Sequence, residues 1–247
     1  MDILLMTATL SPPAGMPDLL RTDPSVRLND YRSALRFYSS LLGSVLDGIV
    51  FVDNSNSDLS ELKEVIRGQE KRVEFISFNG MDHPAAYGRG YAEFKLLDYV
   101  MDNARSVQAA PPGTRFWKVT GRYRVLNLPT IIRRAPRSFA VYVDLRRYPV
   151  PWLDMRIMAW THDGYRDVFR GIYKNLREDL HRAPSEQRLF QELYTLRNRN
   201  GVVPRFTVVP KVKGIRGYDN RDYHSGLNLV KYYIRLILRR VAPALWV

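Results

Sequence analysis

Apolar and polar positions alternate in blocks along the first half of the chain. Residues 3–8 are apolar but for Thr7 and are followed by a Ser-Pro-Pro-Ala-Gly stretch, which predicts a strand buried on both faces and then a loop. A proline-rich loop runs to Leu28. Asn29 or Asp30 is then placed to cap a helix through Leu42, with Tyr31, Leu35, Phe37, Tyr38 and Leu41 on a broad apolar face. Residues 46–52 predict a second buried strand, ended by the polar run Asp53-Asn54-Ser55-Asn56-Ser57-Asp58; Asp58 or Ser60 can cap a helix through Arg67. A third strand is expected over 73–78, turning out at Asn79-Gly80, followed by a helix over 88–105 and a strand over 115–119. Strands and helices that alternate in this way imply βαβ units and an α/β fold with a mainly parallel sheet flanked by helices.

Beyond Asn127 the pattern loosens. Short strands are expected at 131–132, 139–143 and 154–160, and a helix over 164–180. A helix opened by Ser185 should run to about Arg197, with a last strand over 204–212. The tail is distinct: Leu227, Leu229, Val230, Tyr233, Ile234, Ile237 and Leu238 fall at helical spacing among Lys231, Arg235, Arg239 and Arg240. Such a basic amphipathic helix can lie on an anionic membrane or dock on its own domain. The expected organisation is one catalytic domain over 1–220, with halves 1–127 and 128–220, and a basic tail over 221–247.

Composition narrows the partners. The 247 residues carry a net charge of +13, which favours an anionic ligand: nucleic acid, a phosphorylated small molecule or an acidic lipid surface. With no cysteine, thiolate chemistry and Cys-ligated zinc are excluded, and the four histidines, His83, His162, His181 and His224, form no ligand pair. The apolar N-terminus lacks the basic flank of a signal peptide, so a cytoplasmic protein is expected. No P-loop, complete dinucleotide fingerprint or nucleophile elbow is present.

The stretch 87–127 concentrates the candidate chemistry. Gly88-Arg89-Gly90 stands at a helix entry, where unpaired N–H groups and the helix dipole favour phosphate. The following aromatic strand ends in Lys118-Val-Thr120-Gly121-Arg122-Tyr123, bringing basic and hydroxyl groups to a strand end. Asp53-Asn54-Ser55 closes the second strand, where a carboxylate can accept from a base or ribose, or simply form an Asx turn.

Together, Thr7-Ala-Thr9, the strand ending Val52-Asp53-Asn54-Ser55, Gly88-Arg-Gly-Tyr-Ala-Glu93 and Phe116-Trp-Lys-Val-Thr-Gly-Arg-Tyr123 resemble the nucleotide-binding half of GT-A glycosyltransferases. More narrowly, the last two segments resemble parts of bacterial enzymes of surface-polysaccharide and lipopolysaccharide assembly. The resemblance implies a nucleotide-sugar donor in the first half and a glycan or lipid-linked glycan acceptor in the second. Thr7 and Asp53 would lie near base and ribose, with Asn54 and Ser55 beside them, and Arg89 and Gly90 near the donor.

One departure matters. GT-A enzymes commonly end the strand after the long helix in Asp-x-Asp, which holds a divalent metal on the diphosphate, whereas this chain reads Lys118-Val-Thr-Gly-Arg122. Cations cannot ligate a cation. The expectation is therefore a metal-independent site, with no cofactor, in which Lys118 and Arg122, beside Thr120 and Gly121, neutralise the leaving phosphate directly. The alternative is that Arg122 is structural and pairs with a carboxylate such as Glu93. Transfer with inversion also needs a carboxylate base. Glu186, at a helix start, is the first choice, with Asp154 beside it and Asp163 and Glu192 as further candidate acids; Arg156, His162 and Asp163 are the expected acceptor contacts, and each acid could instead be paired with a neighbouring arginine. Rival readings are a basic nucleic-acid-binding protein, although no recognised nucleic-acid module is present, and another doubly wound enzyme such as a methyltransferase.

Overall fold

The fold is described from a computed structural model covering residues 1–199 and 201–247. In chain order the elements are β1 (Asp2–Ala8), α1 (Pro24–Ser39), β2 (Gly48–Asp53), α2 (Ser60–Lys63), β3 (Val73–Ser77), α3 (Arg89–Asn103), α4 (Arg105–Gln108), β4 (Arg115–Thr120), β5 (Arg124–Val125) and α5 (Leu128–Arg133). They continue with β6 (Val141–Tyr142), β7 (Leu145–Arg146), β8 (Trp152–Leu153), β9 (Ile157–Trp160), α6 (His162–Gly164), α7 (Glu178–His181), α8 (Ser185–Leu196), β10 (Val202–Val203), β11 (Val212–Lys213) and α9 (Gly226–Val241).

Seven strands form the central sheet in the order β10-β6-β9-β4-β1-β2-β3. β1 pairs in parallel with β2 and β4, and β2 with β3, whereas β9 runs antiparallel to both β4 and β6. The alternation along β1 explains why it is apolar throughout. Leu4, Met6 and Ala8 enter one core with Tyr31, Leu35 and Tyr38 of α1, while Ile3 and Leu5 enter the other with Phe94, Leu97 and Val100 of α3. A strand covered by helices on both faces must be apolar on both. α8 closes the second core through Leu189 and Leu193.

Several expected boundaries move for local reasons. α1 starts at Pro24 rather than near Asn29, because the Asp23 carboxylate accepts from the Ser25 and Val26 amides at 2.8 and 3.2 Å and proline suits the first helical turn. Asp30 instead holds Arg21 at two points, 2.6 and 2.9 Å. Residues 131–132 lie in α5, a short helix with Pro129 in its first turn, not in a strand. The single helix expected over 164–180 is broken into short turns. Gly171 takes a left-handed φ of 74°, and Asp98 of α3 accepts from the Gly171 amide at 3.0 Å and the Tyr165 hydroxyl at 2.5 Å. Only 157–160 of the strand expected at 154–160 pairs in the sheet. The last strand, expected over 204–212, is a loop but for Val212, which opens β11; the two-residue β10 precedes the range.

α9 forms where the tail pattern placed it and is tied to the body. Arg239 Nη2 donates to both Asp144 carboxylate oxygens at 2.7 and 2.6 Å, and the Arg147 and Tyr148 amides donate to the Trp246 carbonyl at 2.8 and 3.0 Å. Its opposite face carries Leu227, Val230, Ile234, Ile237 and Val241, all exposed and spaced three and four residues apart along one stripe. No described helix is long and apolar enough to cross a membrane.

Candidate active site

From β1 the chain passes to β2 on one side of the sheet and later returns to β4 on the other, so strand order reverses between β1 and β4. In an open α/β sheet the crevice beyond the carboxyl ends of such strands is the natural ligand site. Thr7 and Thr120 are register partners at that end. The Gly121 amide donates to the Thr7 carbonyl at 2.8 Å, and a Cβ on Gly121 would stand 2.7 Å from that oxygen, so only glycine lets the exit of β4 come this close to β1. A cleft of about 690 Å³ opens here, walled by the ends of β1 and β4, the first turns of α3 and α8, the segment 154–156 and one face of α9.

Thr7, Asn54, Arg89, Gly90, Thr120 and Arg122 line this cleft. Asp53 and Ser55 lie behind it. The Asp53 carboxylate is fully buried and accepts from the Leu10, Ser55 and Ser57 amides at 2.7, 3.0 and 3.1 Å and from the Ser55 hydroxyl. It clamps the β2 exit to the β1 exit, which corrects its expected ribose role: its acceptor capacity is spent on the loop. Asn54 is similarly anchored, its side-chain oxygen accepting from the Thr9 hydroxyl at 2.7 Å.

Lys118 also departs from expectation. Its side chain is fully buried, and its ammonium lies 2.5 Å from Glu93 and donates to the Met155 carbonyl and to the Thr120 hydroxyl at 3.3 Å. It fixes the floor rather than facing a ligand. Arg122 pairs with no carboxylate within 4.0 Å among the described residues; it donates to the Ile215 carbonyl at 2.6 Å and the Tyr123 hydroxyl at 2.7 Å. The two glycines around Arg89 serve helix packing. A Cβ on Gly88 would stand 2.3 Å from Glu178 Cδ, and one on Gly90 would stand 2.1 Å from Ser185 Oγ. They let α3 touch the α7–α8 corner, whose Ser185 hydroxyl donates to Glu178 at 2.9 Å. Ser185 is thus the buried first residue of α8, not its cap, which is Pro184.

That corner carries Glu186 into the cleft. Burial pushes its carboxyl above the ordinary range, and Glu178 and Glu93 add to the shift against the opposing field of Arg89. A carboxyl tuned upward beside open space is suited to proton transfer. Asp154 lines the same cleft but is engaged otherwise. Burial acts to raise its pKa, yet the Arg156 guanidinium, joined by Arg146 and Arg235, outweighs this and holds the carboxyl far below its usual value. A proton acceptor held that low is a weak base. Arg156 also lines the cleft, its guanidinium 4.7 Å over the Tyr223 ring.

His162 and Asp163 lie at the other end of the sheet. Because β9 runs antiparallel to β4, Trp160 is opposite Phe116 near the start of β4, and the chain leaves β9 away from the cleft. The His162 ring packs 4.7 Å from Phe116 with Nε2 3.1 Å from the Val107 carbonyl, and Asp163 pairs with Arg166 at 2.7 Å. The expected acceptor contacts therefore do not converge. Residues not foreseen do: Glu178 beneath Glu186, Arg146 of β7, and Tyr232 and Arg235 of α9 all line the cleft. Arg235 was visible only as one of the tail's basic positions, and Arg146 carried no motif.

No protein-family model matches the chain, and no curated protein matches its sequence. Solved structures do match. The galactosyltransferase LgtC, determined with donor and acceptor sugar analogs, aligns with 83% of this chain and 72% of its own at 12% identity and a TM-score of 0.52. A protein from Desulfovibrio desulfuricans G20 described as a nucleotide-diphospho-sugar transferase aligns over 97% of both chains at 10% identity and a TM-score of 0.47. The glycosyltransferase GlyE of Streptococcus pneumoniae TIGR4 aligns over 82% of this chain and 44% of its own at 8% identity and a TM-score of 0.45. The alignment with LgtC, together with the strand order and flanking helices, identifies a GT-A-type α/β fold.

Proposed function

We propose that the protein is a glycosyltransferase that moves a sugar from a nucleotide-sugar donor to a hydroxyl of a glycan or lipid-linked glycan, in the assembly of a bacterial surface polysaccharide. The observation that carries this reading is the cleft at the β1/β4 reversal, with Glu186 facing it from α8 and its carboxyl raised by burial. In the proposed reaction the nucleotide lies over the ends of β1 and β2, near Thr7 and Asn54, with Arg89 toward the donor. In a transfer with inversion, Glu186 accepts the acceptor's hydroxyl proton as that oxygen attacks the anomeric carbon. The bond from that carbon to the diphosphate breaks, and the nucleoside diphosphate leaves as the anion. Lys118, paired with Glu93, holds the floor under this chemistry.

We further propose that the reaction needs no divalent metal, because the segment read against the Asp-x-Asp of GT-A enzymes is Lys118-Val-Thr-Gly-Arg122, which offers no carboxylate. The exposed apolar stripe of α9, flanked by exposed Lys231 and Arg240, fits the inner, anionic face of a cell membrane, consistent with a lipid-linked acceptor. The test is hydrolysis or transfer assayed by nucleotide release across a panel of nucleotide sugars, with and without EDTA. Release from one donor family, undiminished by EDTA, supports the reading; release only with manganese overturns the metal-free part, and none from any donor overturns the whole.

A further inference from the structure

Beside the end of β4 the cleft wall is crowded with positive charge. The Thr120 amide donates to the Arg156 carbonyl at 3.2 Å, so Arg156 stands next to the place where a GT-A diphosphate would be neutralised. Its guanidinium is fixed by Asp154, with Nε 2.7 Å from the carboxylate, and by the Tyr223 ring. Arg146 of β7 and Arg235 of α9 face the same cleft. Neither has a carboxylate within 4.0 Å among the described residues. Asp154 is held by Arg156, and Asp144 is held at two points by Arg239. Arg146 Nε is shut off from solvent with no hydrogen-bond partner.

A buried guanidinium without a partner is unfavourable, and gathering three around one committed carboxylate compounds the penalty through mutual repulsion. Burial and the fields of Arg146 and Arg156 draw the Arg235 guanidinium down to about 10, and burial lowers Arg146 as well. An entering polyanion supplies the missing partner for Arg146 and Arg235 and relieves the repulsion they share with Arg156, which Asp154 already pairs. Guanidinium forks match phosphate oxygens by paired, charge-assisted hydrogen bonds, whereas a neutral sugar hydroxyl would leave the repulsion in place.

We propose that Arg146, Arg156 and Arg235 form a subsite for a phosphate or diphosphate group, completed by α9 folding over the cleft. This rests on the glycosyltransferase reading only for the identity of the bearer, which is the leaving diphosphate of the donor or the phosphate of a lipid-linked acceptor. The subsite takes over the part of the neutralising role first read onto Lys118, whose charge is spent on Glu93, and stands beside Arg122, the other residue given that role, which also lines the cleft.

The test measures binding of inorganic pyrophosphate, a nucleoside diphosphate, the matching nucleoside and a sugar 1-phosphate to the full chain and to Arg146→Gln and Arg235→Gln. Pyrophosphate should stabilise the unaltered protein, and each variant should bind it about 10- to 100-fold more weakly, the range expected for losing charge-assisted hydrogen bonds. Without ligand each variant should melt at the same or a higher temperature than the parent, because an unpaired, partly buried charge has been removed. Loss of melting temperature without loss of affinity would mark the arginines as structural and overturn the proposal, as would pyrophosphate binding that is absent or equal in all three proteins.

Weakened nucleoside diphosphate binding with unchanged nucleoside binding assigns the subsite to the donor; weakened binding of the sugar phosphate alone assigns it to the acceptor. If pyrophosphate binding behaves as expected while no nucleotide sugar is turned over, the subsite stands and the glycosyltransferase reading falls. If nucleotide sugars turn over and both variants bind pyrophosphate as the parent does, the reverse holds.

Discussion

The ammonium of Lys118, with no solvent exposure, lies 2.5 Å from Glu93 Oε1, and the same carboxylate oxygen accepts from the Thr7 hydroxyl at 2.8 Å. Two strand ends and the first turn of α3 are thereby locked through one carboxylate. Breaking a buried pair from one side strands the other charge. Lys118→Met or Glu93→Gln should each destabilise by about 3–5 kcal/mol, and the double variant by less than the sum. Urea unfolding of the three proteins checks this; additive losses would show that the two groups are not coupled.

Glu186→Gln should lower turnover by about 10²- to 10⁴-fold, the usual contribution of a positioned base, with nucleotide affinity unchanged. The raised carboxyl sets the sign with pH. Its folded pKa lies above its unfolded value, so its contribution to stability is present below the unfolded pKa and lost as pH rises through the folded one. Activity should move the opposite way, rising with pH as the base form appears. A pH–rate profile that stays flat across this window in the parent protein would remove Glu186 from the chemistry.

Asp154 should behave inversely. Its carboxyl, held low by Arg156 despite burial, contributes stability above the unfolded pKa that is lost as pH falls toward the folded one. Asp154→Asn should cost about 3 kcal/mol at neutral pH, leaving the partly buried Arg156 without its counter-charge, and should flatten the acid limb of the stability curve. Thermal melts from pH 7 downward read both effects.

Gly121→Ala should push the exit of β4 off the Thr7 carbonyl, since its Cβ would stand 2.7 Å from a backbone oxygen that cannot rotate away. Forced separation of packed elements costs about 1–3 kcal/mol, and a shift of the strand ends should lower nucleotide affinity as well as stability. Calorimetric titration with the nucleotide that binds the parent protein distinguishes this from loss of stability alone.

The first half of the fold was legible because β1, β2 and β4 are covered on both faces. The apolar run ending in Thr7-Ala8 admits only a buried strand, and a Rossmann-like alternation of such runs admits few topologies. In the second half β6 and β9 fall within the strands expected at 139–143 and 154–160, but β7, β8 and β10 are two-residue pairings too short for any period to emerge. The site shows the same division. Thr7, Arg89, Thr120 and Glu186 line one cleft, at or near ends of elements that the pattern marks. His162 was misplaced because residue order does not disclose that β9 is antiparallel, and that reversal carries its end to the far side of the sheet. Lys118 was misread because a strand-end lysine looks alike in sequence whether it faces a ligand or Glu93. Arg146 and Arg235, 89 positions apart in the numbering, meet only once α9 has folded back across the cleft.

That folding back gives α9 two loyalties. One face supplies Tyr232 and Arg235 to the cleft, while the other leaves Leu227, Ile234 and Ile237 in water. A rigid helix cannot move one face without the other, so if gripping the outer stripe shifts α9, filling the cleft changes that grip by the same factor, by thermodynamic reciprocity. If the outer partner is a lipid surface, the protein's affinity for its ligand becomes a reporter of where the protein is. A molecule adrift from that surface would hold its ligand less firmly than one resting on it, and charging the stripe by Ile234→Asp would lower ligand affinity on vesicles to the value measured without them.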